Sequence, residues 1–105
     1  MKGLPRSATF RNKRWVVKWR RPQVGIAGMT EHVDFKQKVI QIDPALVGQD
    51  RLETLIHEAL HAADWSKDED YVETDAKDLT RWLWRCGVRI TECPAGRAEV
   101  EREEE

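Results

Sequence analysis

The chain predicts a small α+β domain, a sheet of about three mainly antiparallel strands followed by two packed helices. Three observations carry this expectation. Short β-prone segments with period-two alternation occur only before Pro44, helical periodicity of apolar residues takes over after Asp50, and 105 residues leave room for one core. With 40% hydrophobic and 35% charged residues, the composition fits one modestly stable domain and no second one. We place that domain at residues 1–90. Residues 91–105, ending in "EVEREEE", read as an acidic, flexible tail with too little apolar content to pack.

The first strand is "RWVVKWR", where Trp15, Val17 and Trp19 alternate with Val16, Lys18 and Arg20, one face buried and one solvated. "RPQVGIAGM", with Pro22, Gly25 and Gly28, predicts a loop. "TEHVDF" and "KVIQID" flank the polar pair Lys36 and Gln37 and predict a hairpin, although the turn lacks an Asn-Gly signal. Ile40 and Ile42 should face the core and Gln41 the solvent. Pro44 ends the strand because it has no N–H for the ladder.

The first helix is expected to open on Asp50 as N-cap, with Glu53 completing a capping box, and to run to about Trp65. Leu52, Leu55, Ile56, Ala59, Leu60 and Ala63 form its apolar stripe. Ser66 with Glu69 repeats the capping-box pattern and opens the second helix, which Gly87 should terminate. Val72, Ala76, Leu79, Leu83 and Cys86 mark its apolar face, and Trp82 and Trp84, on opposite sides, cannot both be core. The two cysteines, Cys86 and Cys93, are too few for a disulfide framework and have no CxxC spacing, so both are read as reduced thiols, with Cys86 packed.

The net charge is -1, but its distribution is uneven: the first thirty residues hold no acid and include Lys2, Arg6, Arg11, Lys13, Arg14, Lys18, Arg20 and Arg21. Basic residues interleaved with Trp15 and Trp19 could contact phosphates and stack on bases, so nucleic acid is one partner the composition admits. The clean alternation of a half-buried strand is the better-supported reading of the same residues. No run approaches the roughly 18 apolar residues of a membrane span, and "MKGLPRSATF" lacks the apolar stretch of a secretory signal, so the expected setting is cytoplasmic.

"LIHEALHA" carries the chemistry. With 3.6 residues per turn, His57 and His61 stack on one helix face and Glu58 flanks them. Neutral imidazoles ligate zinc, a catalytic zinc takes three protein ligands plus water, and a neighbouring carboxylate can take the proton of that water. HExxH on a helix is the signature of this arrangement. Apolar flanks at Leu55, Ile56, Ala62 and Ala63, with no proline between them, place the motif in a packed helix.

On these residues the chain resembles the small HExxH metallopeptidase-like proteins of bacteriophages and prophages, and more loosely the SprT-like and IrrE-type zincins. The likeness covers roughly residues 28–87, and its specific part is "TLIHEALHAAD" after a "KVIQID" strand. It implies a minimal zincin-like fold of the gluzincin type, in which a glutamate on the following helix is the third zinc ligand. Two departures stand out. The chain has no substrate-binding C-terminal lobe of the large zincins, and Asp64 replaces the HExxHxxGxxH extension.

Glu73 is the expected third ligand, because "VETDAKDL" resembles the segment that carries it in IrrE-type zincins. By helical wheel Glu73 and Glu69 share one flank, while Asp75, the second choice, lies on the other and Asp70 points away. His32 precedes the motif in a strand, and Tyr71 could stabilise an oxyanion from the start of the second helix, although a packing-edge tyrosine is commoner. The expected function is zinc-dependent peptide-bond hydrolysis, with zinc on His57, His61 and Glu73, Glu58 as general base, and a peptide or protein substrate. The alternative is a non-catalytic, metal-stabilised binding module that contacts nucleic acid or a protein through the basic strand.

Overall fold

The computed structural model describes residues 4–21, 26–31 and 38–90. Strand β1 (Ser7–Phe10) and strand β2 (Lys13–Trp19) form an antiparallel hairpin with Ser7 opposite Val16 and Phe10 opposite Lys13. The chain turns on Arg11 (φ 52°) and Asn12 (φ 65°). Two positive φ values at a two-residue turn are type I′ geometry, whose twist matches that of the strands it joins. Strand β1 was not anticipated, because its four residues show little alternation and the Arg-Asn turn carries no glycine.

Strand β4 (Val39–Ile42) runs parallel to β2, with Val17 beside Ile40 and Trp19 beside Ile42. Strand β3 (Gly28–Thr30) pairs antiparallel with the other side of β4. The order β1-β2-β4-β3 makes a mixed sheet of four strands, one more than expected and with one parallel pair. β4, with Val39, Ile40 and Ile42 all buried, takes a central place, where neighbours cover both of its edges. The expected hairpin is therefore realised earlier in the chain: β3 begins inside the stretch read as a loop. Lys36, Gln37 and His32 lie outside the described residues, as do Cys93 and residues 91–105.

One face of the sheet carries Trp15, Trp19, Ile40 and Ile42 into a core shared with Leu4 and Ala62, and the alternation read in "RWVVKWR" is seen here. Trp19 Nε1 donates to the Pro5 carbonyl at 2.9 Å, so burying the indole leaves that donor satisfied. Helix α1 (Gly48–Ala63) lies on this face over β3 and β4, and helix α2 (Glu69–Arg85) packs against α1. No described helix is long and apolar enough to cross a membrane.

The helix ends differ from expectation in instructive ways. Val47 is the N-cap of α1 and offers no side-chain bond; Asp50 sits inside the first turn, where a carboxylate complements the helix dipole, and Glu53 instead accepts from Lys77 Nζ at 2.9 Å. The helix stops at Ala63, with Asp64 extended. Asp68, not Ser66, caps α2 by accepting from the Asp70 N–H. Ser66 is used one step earlier: its hydroxyl (2.6 Å) and N–H (3.1 Å) both donate to Asp64 Oδ1, holding the Asp64 carboxyl below its ordinary pKa. At the far end Gly87 (φ 95°) donates to Trp84 O and Val88 to Leu83 O, the Schellman closure expected of that glycine.

The buried line of α2 is Val72, Ala76 and Thr80. Leu79 is 38% exposed and Cys86 is exposed, so the helix is rotated from the face its apolar residues suggested. Of the two tryptophans, Trp82 is exposed, while Trp84 is partly buried and carries the Arg89 guanidinium 3.5 Å above its ring.

Two stability outcomes follow. Replacing Arg11-Asn12 by Asn-Gly supplies the residues that adopt positive φ with least strain and should stabilise the domain by about 0.5 to 1 kcal/mol, a gain of several degrees in a melting curve. Gly28→Ala should do the reverse. A β-carbon there would lie 2.7 Å from Thr54 Cγ2 and 2.9 Å from Glu58 Cγ and Oε2, forcing α1 off the strand. The expected loss is about 1 to 3 kcal/mol in denaturant unfolding; an unchanged midpoint would show that the seat of α1 is loose.

Candidate metal centre

His57 and His61 are one turn apart on α1, on the side facing α2, with ring centroids 5.0 Å apart in an edge-to-face arrangement. Their Nε2 atoms converge on one carboxylate. His57 Nε2 lies 3.1 Å from Glu69 Oε2, and His61 Nε2 lies 2.9 Å from Glu69 Oε1. The three side chains offer ligand atoms within 4.8 Å of one another, and among the described residues no fourth acid, histidine or cysteine joins the group. The Trp65 ring, 5.7 Å from that of His61, limits the site on one side.

Glu58, beside His57 on the wall of the same cleft, also reaches the sheet. It is buried at 7% exposure, and Thr30 Oγ1 lies 2.6 Å from its Oε1 and 3.1 Å from its backbone carbonyl. Burial pushes the Glu58 carboxyl above its ordinary pKa, against the opposing pull of the Thr30 hydroxyl and of the two histidines. The absence of a side chain at Gly28 is what lets this carboxylate sit against the strand. A cleft of about 300 Å³, lined by Ile26, Gly28, Thr54, His57 and Glu58, opens beside these two side chains of α1.

His57, Glu58 and His61 thus gather as the motif implies, whereas the third member is Glu69. Glu73 Oε2 lies 3.9 Å from Lys77 Nζ on an exposed flank, and Asp75 is held by Lys67 at 3.2 Å. The reason is where each acid stands on α2. Glu69 lies about 20° from Ala76 on the helical wheel and at the end of α2 that meets the histidines, while Glu73 lies about 60° from Ala76 and one turn further along the axis. The sequence offers Glu69 both as half of a capping box with Ser66 and as an alternative to Glu73; with Asp68 doing the capping, its carboxylate reaches the histidines. A wheel centred on Val72, Ala76 and Thr80 would have found it in the sequence. Tyr71 is exposed and about 160° round the helix from Glu69, so it does not overhang the histidines.

Two imidazole nitrogens and one carboxylate converging from two helices are a donor set that could hold a metal ion. Compared against family profiles, curated proteins and solved structures, the chain matches none of them, so its site is read from its own geometry.

Proposed function

We propose that this chain is a zinc-dependent metallopeptidase that holds its ion with His57, His61 and Glu69. The observation that carries the reading is the pairing of that three-member donor set with a buried carboxylate, Glu58, held by Thr30 at the wall of an open cleft. Zinc bound there would polarise a substrate carbonyl and bring the pKa of a water towards about 7.

The protein's own groups do the rest. Thr30 occupies Glu58 Oε1 and leaves Oε2 to take a proton from the attacking water and pass it to the leaving amine. β3 is the last strand of the described sheet, and a peptide added along its outer edge would run past Gly28 and Thr30 and cross Glu58. An exposed free thiol at Cys86 accords with a reducing, cytoplasmic setting.

Zinc affinity measured by competition with a chelator tests the ligand set. Glu69→Ala should weaken binding by at least about tenfold, since even groups that merely support metal ligands cost about 10- to 100-fold when removed. Glu73→Ala should match the parent, and the His57→Ala, His61→Ala double variant should bind no stoichiometric zinc. A larger loss in Glu73→Ala than in Glu69→Ala would reverse the assignment.

Hydrolysis of a labelled, unstructured protein tests the base. Glu58→Gln should keep zinc and the fold, because the amide oxygen still accepts from Thr30 without a buried charge, while the rate falls by about 100- to 10,000-fold. Thr30→Val should lower kcat with zinc affinity unchanged, and Thr30→Ser should restore it. Full activity in Glu58→Gln would rule out this mechanism.

A further inference from the structure

We propose that the sheet face turned away from the helices binds the phosphate backbone of a nucleic acid, through a row of basic side chains on β2. The proposal is independent of the metal site. Because Trp15, Val17 and Trp19 point into the core side, Arg14 and Lys18 stand on the opposite face, with Arg20 following at the strand's end. Strand geometry spaces Arg14 and Lys18 by about 14 Å and Arg20 by about 7 Å more. The neighbouring strand adds hydroxyls to the same face, since Thr9 is registered with Arg14 and Ser7 with Val16.

The charges are unopposed. Among the described residues no ion pair engages Arg14, Lys18 or Arg20. Of the two described acids before Pro44, Glu31 follows the far strand β3, and the Asp43 carboxylate accepts from the Ala45 N–H at 2.9 Å. The near-zero net charge conceals a strong segregation. Among the described residues, those before Pro44 hold eight Lys and Arg against two Asp and Glu, and those from Pro44 to Ile90 hold six against ten. A polyanion is therefore drawn to the sheet and repelled by the helical layer, which fixes the orientation of binding.

The tryptophans decide the kind of contact. Trp15 and Trp19 are 0% and 4% exposed, so neither can stack on a base, and the face offers charge without aromatic rings. Binding should read the backbone and ignore sequence. An anionic membrane would also supply negative charge, but surface-bound segments add large exposed apolar side chains that enter the bilayer, whereas on this face Val16 and Met29 are half-buried and Val39 is buried.

The test is fluorescence anisotropy of a labelled duplex DNA of about 20 base pairs, starting at about 50 mM NaCl. Three phosphate contacts give a log–log salt slope of about -2.7, or roughly a fortyfold loss of affinity between about 50 and 200 mM. A duplex of scrambled sequence should bind equally well. Arg14→Gln with Lys18→Gln should weaken binding by at least about tenfold and flatten the slope by nearly two, whereas Arg81→Gln with Arg85→Gln on α2 should change it less than about threefold. Circular dichroism confirms that both variants fold, and the His57→Ala, His61→Ala variant should bind DNA as the parent does. No duplex binding at low salt, equal losses in the sheet and helix variants, or tighter binding to vesicles with about 30% anionic lipid than to the duplex would each overturn the proposal.

Discussion

The close seat of α1 on the edge strand β3 is the constraint on which the site depends. At Gly28 the helix and strand approach so closely that a single carbon would meet Thr54 and Glu58, and two residues on, Thr30 bonds Glu58. That contact fixes the rotation of α1 about its own axis. With Glu58 turned to the strand, helical geometry swings His57 and His61 about 60° to 100° away, towards α2. One packing contact therefore sends the carboxylate and the imidazoles of a five-residue motif into different neighbourhoods. The carboxylate is buried, and its pKa rises for that reason; the imidazoles stay partly open and meet another carboxylate.

The second helix completes the arrangement because the connection before it is short and self-bonded. Asp64 accepts from Ser66 and Asp68 accepts from Asp70, so the five residues 64–68 are organised largely by local side-chain bonds. Burial of Val72 and Ala76 against α1 then places the first residue of α2, Glu69, level with the histidine pair. The start of α1 is anchored in a similar manner. Buried Arg51 donates from Nε to Leu46 O at 2.8 Å and from Nη2 to Pro44 O at 3.2 Å, tying the turn after β4 to the helix.

Charge and chemistry occupy different sides of the molecule. The cleft beside Glu58 opens at the β3 edge, whereas the row of Arg14 and Lys18 lies on the face turned away from both helices. Both arise from the same alternation. The core-facing residues of β2 and β4 build the floor under α1, and Arg14 and Lys18 alternate with them onto the other face.

Local information in the sequence determined a good deal: the α+β order, the inward Trp15, Trp19, Ile40 and Ile42, the closure at Gly87, and the stacking of His57 on His61, which follows from helical pitch alone. Short-range patterns failed where two local solutions were equally good. Ser66 and Asp68 can each cap a helix, and only the fold of the connection chose Asp68. Glu69 and Glu73 share a flank in the wheel, so the wheel did not separate them, and Glu73 was favoured only by the resemblance of "VETDAKDL" to a zincin segment. The parallel pairing of β2 with β4, and the four-residue strand β1, depend on contacts between segments far apart or too short to show a period. The rotation of a helix about its axis is set by what it packs against, and that partner is not encoded within the helix: tertiary packing alone brought Glu69 to the histidines and Thr30 to Glu58.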